Sequence, residues 1–222
     1  MSDRRQFGDP YAGIPGRRLF VAVPLPGEAA TAVAAIVDGV RAMPLPTGMR
    51  DVRWVRLDGL HLTLRFLGPT PDERIEATVG AVRSAAARVE PFGLRIAGAG
   101  SFPPGPRPRT LWLGVHDQEG TMARLATAIG EALEAAGWTA DARPFRPHLT
   151  LARSDGLAAG PVVAERLATA IGEDSIETAI EHVGLFESLT GGGPARYVPV
   201  DIVTLGLGAR QRSEGPSVYH RG

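Results

Sequence analysis

The chain of 222 residues contains no cysteine, no lysine and no asparagine. Without cysteine it can form no disulfide, no thiolate nucleophile and no cysteine-based metal site. Without lysine it cannot form a glycine-rich phosphate loop that ends in lysine. All 24 basic residues are arginine. Because lysine and asparagine codons are AT-rich, this bias indicates a GC-rich genome and is only weak evidence for phosphate binding.

Aromatic residues, net charge and long apolar runs are also scarce. Aromatics make up 6% of the chain and hydrophobic residues 44%, so a core must consist mostly of Ala, Val, Leu and Ile. The net charge is zero, which argues against a broad basic surface for duplex nucleic acid but allows a local basic cleft. No apolar run approaches the ~20 residues of a membrane span. Residues 1–18 lack an apolar signal core, so we expect a cytoplasmic protein.

The order of the predicted elements repeats along the chain. Before and after the proline-rich segment 103–109, the pattern predicts strand, helix, a strand that carries a histidine, helix and strand. This order favours an α+β fold with two pseudo-symmetric lobes of mixed or antiparallel sheet, helices on the outer faces and a cleft between the lobes. We expect a flexible leader at 1–17, one bilobal catalytic domain at 18–207 with lobes at about 18–102 and 109–207, and a flexible tail at 208–222.

Hydrophobic periodicity and turn residues give the expected bounds of the elements. Pro69 and Pro71 are expected to end the first histidine strand, and Gly137 to close a helix. The predicted strands are 18–23, 52–56, the strand after residue 59, 92–102, 110–115, the strand after residue 147, one within 175–189, and 196–207; the predicted helices are 28–42, 72–89, 118–136 and 161–171.

The sequence His-Leu-Thr-Leu occurs twice, beginning at His61 and at His148, although the chain has only five histidines. Alternate side chains of a strand share a face. His61 and Thr63 therefore point the same way, as do His148 and Thr150, while the leucines point into the core. Each motif presents one imidazole and one hydroxyl, and we expect the two faces to meet across the cleft.

Two imidazoles in one cleft can act as general acid and general base, because their pKa values lie near neutral pH. The two hydroxyls can donate to the non-bridging oxygens of a phosphate. In-line displacement at phosphorus needs this pairing of acid and base. Zinc usually takes three or four protein ligands, and neither motif has a companion pattern that supplies them. We expect no metal and no cofactor, and the residues leave open which histidine is the acid.

The chain resembles the two-histidine phosphoesterase superfamily in its paired motifs, its opening strand 18–23 and the runs 64–68 and 145–153. Within it, the chain is most similar to bacterial RNA 2',3'-cyclic phosphodiesterases of the ThpR/LigT type, formerly called 2'-5' RNA ligases. The resemblance covers roughly residues 18–207. It implies the bilobal fold and hydrolysis of terminal 2',3'-cyclic phosphates on RNA to 2'-phosphates. RNA or oligonucleotide ends are the implied partners, and no protein partner is implied.

The same resemblance implies a role for each motif residue. His61 is implied to be the proton donor to the departing 3'-oxygen, and His148 the base that activates water. Thr63 and Thr150 are implied to contact the phosphate.

Three arginines are candidate ligands for the substrate. Arg65 shares the His61 face by alternation, so it can meet phosphate or a neighbouring nucleotide, or it can be a solvated strand-end residue. Arg146 precedes a proline and can line the entrance of the cleft. Arg153 alternates to the opposite face, which favours a structural role, although a twisted strand end would bring it to the cleft.

The remaining conspicuous residues are expected to be structural. The alternation of side chains along a strand favours a core position for Phe66 and a partly buried position for His182. The core is expected to contain Trp54 and Trp112. Surface loops are expected to contain His116, Arg107, Arg109 and residues 191–193, and His220 lies in the tail.

The residues also allow other functions, one group within the class of enzymes and one outside it. The same groups could act on another small cyclic phosphate or catalyse the reverse joining reaction of a 2'-5' RNA ligase. Alternatively, the cleft could bind nucleotide or RNA without useful catalysis. An enzyme is favoured, because a binding module needs no second proton-transfer group.

Overall fold

The computed structural model describes residues 15–141, 144–154, 159–172, 174–191 and 193–206. Most of the expected leader, the expected tail with His220, and residue 192 lie outside the described residues. The helices are α1 (Gly27–Arg41), α2 (Ile75–Ala86), α3 (Thr121–Ala135) and α4 (Gly160–Ile171). The strands are β1 (Arg17–Pro24), β2 (Arg53–Trp54), β3 (His61–Thr70), β4 (Phe92–Phe102), β5 (Thr110–His116), β6 (His148–Arg153), β7 (Ser175–Ile180), β8 (His182–Gly191) and β9 (Gly193–Thr204).

The strands form two sheets in which every pairing is antiparallel. The first sheet has the order β3-β1-β8-β9, and the second has the order β2-β6-β5-β4-β7. Strand β1 is buried from Leu19 to Val23. An apolar run of this kind suits its position between two neighbouring strands. The expected α+β architecture with antiparallel sheets is confirmed.

The sheets do not divide the chain at residues 103–109, as the sequence suggested. This segment joins β4 to β5, which are neighbours in the second sheet, and the Arg109 amide donates to the Phe102 carbonyl at 2.8 Å. The segment is therefore a hairpin connection and not a seam between lobes. The expected lobe bounds of 18–102 and 109–207 were wrong because periodicity identifies strands but not their partners.

The two sheets are nevertheless related by pseudo-symmetry, but each of them contains strands from both halves of the chain. The order β3-β1-β8-β9 of the first sheet corresponds to β6-β5-β4-β7 in the second. Strand β4 from the first half of the chain thus occupies in the second sheet the place that β8 from the second half occupies in the first sheet. Each sheet combines strands from both halves, and each histidine motif begins an equivalent strand, β3 or β6.

The helices pair in the same exchanged manner. Helix α1 packs beside α4 against strands of the second sheet, and α2 packs beside α3 against strands of the first. Gly137 follows α3 with a φ of 84°, and the next amide, that of Trp138, donates to the Leu133 carbonyl at 3.0 Å. This left-handed glycine closes the helix as expected. In the described part of the chain, no helix is long and apolar enough to cross a membrane.

Two strand predictions need correction. Strand β3 continues through Pro69 to Thr70, and it can do so because it lies at the edge of its sheet, where an amide hydrogen is dispensable. The expected single strand within 175–189 is two strands, β7 and β8, which lie in different sheets.

Candidate active site

The four motif residues lie together, as the sequence suggested. His61, Thr63, His148 and Thr150 line one cavity of about 490 Å³ between the two sheets. Leu62 and Leu149, which follow the histidines, are fully buried and anchor each motif strand in the core. Other side chains that line the cavity are Phe20, Phe66, Phe102, Thr110, Arg153 and Tyr197.

The two imidazoles are held in the same way. The Nδ1 atom of His61 lies 2.7 Å from the carbonyl oxygen of Gly59. The Nδ1 atom of His148 lies 2.7 Å from the carbonyl oxygen of Arg146. A carbonyl oxygen only accepts, so each Nδ1 donates its hydrogen. Each Nε2 is then the nitrogen that can exchange a proton with a substrate.

Each imidazole also packs against aromatic rings. The His61 ring lies 4.9 Å from the Phe20 ring and 4.7 Å from the Tyr197 ring, which it meets edge-on. The His148 ring meets the Phe102 ring edge-on at 5.1 Å, and its centroid lies 6.4 Å from that of Trp112. These rings restrict both imidazoles to one orientation.

Sequence reasoning missed these aromatic neighbours. Phe20, Phe102 and Tyr197 were not singled out, and Trp112 was expected in the core. Trp112 is half-buried, and its buried Nε1 has no hydrogen-bond partner within the described part of the chain. Alternation within β1 and β5 could have suggested Phe20 and Trp112, but only the sheet order brings Tyr197 to His61.

The ladder between β1 and β3 is interrupted directly after the first motif threonine. Thr63 lies opposite Ala22 of β1. The preceding residue of β1, Val21, lies opposite Arg65, so Leu64 has no partner in the ladder. Such a β-bulge reverses the facing of the side chains that follow it, which in β3 holds as far as a second irregularity at Leu67.

The second motif has the same interruption at the same place. Thr150 lies opposite Trp112 of β5. The preceding residue of β5 lies opposite Ala152, so Leu151 is skipped in the ladder. The bulge is therefore part of the repeated unit, and the side chain three residues after each threonine turns towards the cleft.

The bulges correct two expectations about facing. Arg153 lines the histidine cavity, and its Nη1 donates to Thr110 Oγ1 at 3.0 Å, so the structural preference from alternation was wrong. Phe66 occupies the equivalent position of the first motif. It is 53% exposed and lines the same cavity, so the core prediction for Phe66 was also wrong.

Arg65 does not share the cavity of His61. Its Nη2 donates to the Thr139 carbonyl, beyond the end of α3. It lines a neighbouring cavity of about 610 Å³, which shares Phe66 and His148 with the histidine cavity. Arg146 lines this neighbouring cavity too, which agrees with its expected position at the entrance.

Burial and charge act on the pKa of His61. Burial lowers the pKa of His61 below the ordinary histidine value, and the positive charge of Arg153 lowers it further, while the hydrogen bond to Gly59 raises it. Burial also raises the pKa of the Tyr197 hydroxyl, which Arg153 opposes. The free protein therefore favours a neutral imidazole at His61.

The other histidines of the described residues lie outside this cavity. His116 is exposed, with Nε2 at 3.2 Å from the Ala97 carbonyl oxygen. His182 is exposed, so its expected partial burial was wrong. Over the same residues, no group of three or more His, Cys, Asp or Glu side chains is placed to hold a metal ion. The expected independence from metals stays a prediction.

Two imidazoles and two hydroxyls lie in one cavity, on equivalent strands of two antiparallel sheets, and these groups are suited to general acid–base chemistry. The chain belongs to the 2'-5' RNA ligase superfamily, whose family model matches residues 28–192.

Individual relatives agree with this membership. An RNA 2',3'-cyclic phosphodiesterase of Geobacillus stearothermophilus is 36% identical over 135 residues, which are 60% of this chain and 41% of that relative. A Thermus thermophilus protein of the same name is 32% identical over 90% of this chain and 96% of its own length. The crystal structure of E. coli LigT with 3'-AMP superposes with a TM-score of 0.61 at 27% identity, covering 85% of this chain and 98% of that one.

Proposed function

We propose that this protein is an RNA 2',3'-cyclic 3'-phosphodiesterase that hydrolyses a terminal 2',3'-cyclic phosphate to a 2'-phosphate. The observation that carries the proposal is the cavity in which His61 and His148, with matching Nδ1 hydrogen bonds, meet Thr63 and Thr150. The names of the Geobacillus and Thermus relatives support the same activity.

The two imidazoles divide the proton transfers between them. His148 Nε2 accepts a proton from water as the water oxygen bonds to phosphorus. The bond from phosphorus to the 3'-oxygen breaks, and His61 Nε2 donates a proton to that oxygen. The products are a 3'-hydroxyl and a 2'-phosphate. His148 then releases its proton to solvent, and His61 takes up a proton again when the next substrate binds.

The hydroxyls and one arginine stabilise the charge on the phosphate. Thr63 and Thr150 donate to the non-bridging oxygens, and Arg153 adds a positive charge at the wall of the same cavity. Arg146 borders the neighbouring cavity, where it can meet the nucleoside. Arg65 donates to the backbone carbonyl of Thr139, so we assign Arg65 to positioning the wall of the neighbouring cavity and not to binding the phosphate.

The lowered pKa of His61 opposes its role as the acid, since an acid must carry a proton before the reaction. A bound phosphate diester supplies the compensating charge, because a negative group beside an imidazole favours the protonated form. His61 is therefore expected to become protonated as the substrate binds.

Product analysis tests the proposal directly. Purified protein is incubated in EDTA with an RNA oligonucleotide that ends in a 2',3'-cyclic phosphate. The expected product carries a 2'-phosphate, and His61→Ala and His148→Ala are expected to lose turnover. No turnover by the unaltered protein, or turnover only after metal is added, would overturn the proposal. A 3'-phosphate product would show that the 2'-oxygen leaves instead.

The joining reaction is a second candidate, favoured by the name of the family model. It uses the same cavity, with a ribose hydroxyl in place of water. Incubation with two RNA fragments, one carrying the cyclic phosphate and one a free 5'-hydroxyl, distinguishes a joined product from a hydrolysed one. We expect hydrolysis to dominate because water is far more concentrated than the 5'-hydroxyl of the second fragment.

We also expect the protein to act in the cytoplasm.

A further inference from the structure

Two arginines lie directly opposite each other beside the histidine cavity. Arg53 of β2 pairs with Arg153 of β6, and Arg153 pairs in turn with Thr110 of β5. Like charges directly opposite each other on neighbouring strands are destabilising. The chain therefore carries a cost at this position unless an anion lies between the two guanidinium groups.

No acidic side chain relieves this repulsion within the described residues. Arg53 is exposed, and none of these residues forms an ion pair or hydrogen bond with its side chain. The hydrogen bond of Arg153 goes to the neutral hydroxyl of Thr110. Among the residues that the structure describes, neither arginine has an acidic partner, so an anionic ligand would be stabilised between them.

The arginine pair stands at the start of a third cavity. This cavity of about 600 Å³ lies between β2 and the end of the β8–β9 hairpin. It shares Val55, Arg153 and Tyr197 with the histidine cavity, so the two cavities adjoin each other. Of the described residues that line it, none is acidic. These two adjoining cavities, called the groove below, extend from the histidines to both arginines.

We propose that Arg53 binds the phosphodiester on the 5' side of the nucleoside that carries the cyclic phosphate, while Arg153 beside it faces the cyclic phosphate itself. This inference rests on the proposed function. A mononucleoside 2',3'-cyclic phosphate has one phosphate, whereas an RNA end has a second one a single nucleoside away. Arginine suits such a group because its guanidinium binds phosphate oxygens in pairs. The groove then selects RNA ends over free cyclic nucleotides.

The test compares two substrates with the same cyclic end. These are cytidine 2',3'-cyclic phosphate and the adenylyl-cytidine dinucleotide that ends in the same 2',3'-cyclic phosphate. The unaltered protein is expected to show the higher kcat/KM with the dinucleotide. In Arg53→Ala, the ratio of the dinucleotide kcat/KM to the mononucleotide kcat/KM is expected to fall about tenfold, as for loss of one charge-assisted hydrogen bond.

Two further variants control the comparison. Arg53→Lys keeps the positive charge but not the paired hydrogen bonds, so its ratio is expected to lie between those of the unaltered protein and Arg53→Ala. Arg41→Ala removes a surface arginine of α1 that faces Asp38 at 3.6 Å and lines none of the three cavities, so the ratio should not change. Added salt should lower the ratio less in Arg53→Ala than in the unaltered protein, since fewer charges are screened.

The possible failures are distinguishable. An unchanged ratio in Arg53→Ala, or an equal fall with both substrates, overturns the inference and leaves the proposed function intact. Failure of the unaltered protein to hydrolyse either substrate overturns the proposed function instead.

Discussion

The strand that carries His61 and the strand that carries His148 hold their imidazoles alike but surround them differently. In both, Nδ1 donates over 2.7 Å to the carbonyl two residues earlier, and a bulge follows the motif threonine. At the first cleft-facing position after the bulge, however, the first strand carries Phe66 and the second carries Arg153.

This difference separates the geometry of the site from its charge. The backbone gives each half an equivalent imidazole and hydroxyl. The side chains beyond the bulge then make one wall apolar and the other cationic, and the cation acts across the cavity on the pKa of His61. Two copies of one motif can therefore take opposite roles in proton transfer without any change in backbone.

The largest expected effect tests the equivalence of the two copies. His61→Ala and His148→Ala should each lower kcat by about 10²–10⁴-fold, because each removes one proton-transfer group. The double variant should lose little more than the worse single variant, since the groups act as a unit. Steady-state hydrolysis of a cyclic-phosphate RNA measures both. His182→Ala, at an exposed histidine outside the cavity, is the control. A single variant with full activity would break the equivalence.

An intermediate effect tests the difference between the two walls. Arg153→Gln should lower kcat/KM by about 10–100-fold, because it removes a hydrogen bond to a charged group worth about 1.5–3 kcal/mol. Phe66→Ala should lower kcat/KM less, since Phe66 supplies no charge and is 53% exposed. The two variants are compared on the same substrate at one ionic strength. A greater loss in Phe66→Ala would contradict the assignment of charge to Arg153.

The smallest effect concerns the pKa of His61. If His61 is the acid, kcat/KM should fall as the pH rises through its pKa, which lies below the ordinary value of 6.5. Arg153 lowers this pKa, so Arg153→Gln should raise it and move the falling limb to higher pH. NMR titration of the imidazole in both proteins assigns the shift to His61, which rate profiles alone cannot do. A downward shift would contradict the electrostatic role of Arg153.

The sequence was sufficient to place the motif residues in one site. Their signal is local, because two residues in a strand share a face, and Thr63 and Thr150 lie before the bulges. The facing of Phe66 and Arg153 was not accessible in the same way. A bulge is defined by the pairing of two strands, so the residues of one strand alone do not reveal it.

The partners of the motifs depend on even longer connections. Tyr197 reaches His61 because β9 follows β8 in the sheet that contains β1 and β3. Arg53 meets Arg153 because the two-residue strand β2 pairs with β6. Neither relation has a counterpart in local hydrophobic pattern. Element order could be predicted from the chain, whereas sheet membership required the tertiary structure.

The exchange of β4 and β8 between the sheets restricts how the cleft can move. Along the chain, strands alternate between the sheets often enough that the backbone passes from one sheet to the other four times. Hinge motion usually occurs where only a few residues connect two bodies. Here the backbone joins the two walls at four places, so we expect the width of the cleft to change little when a ligand binds.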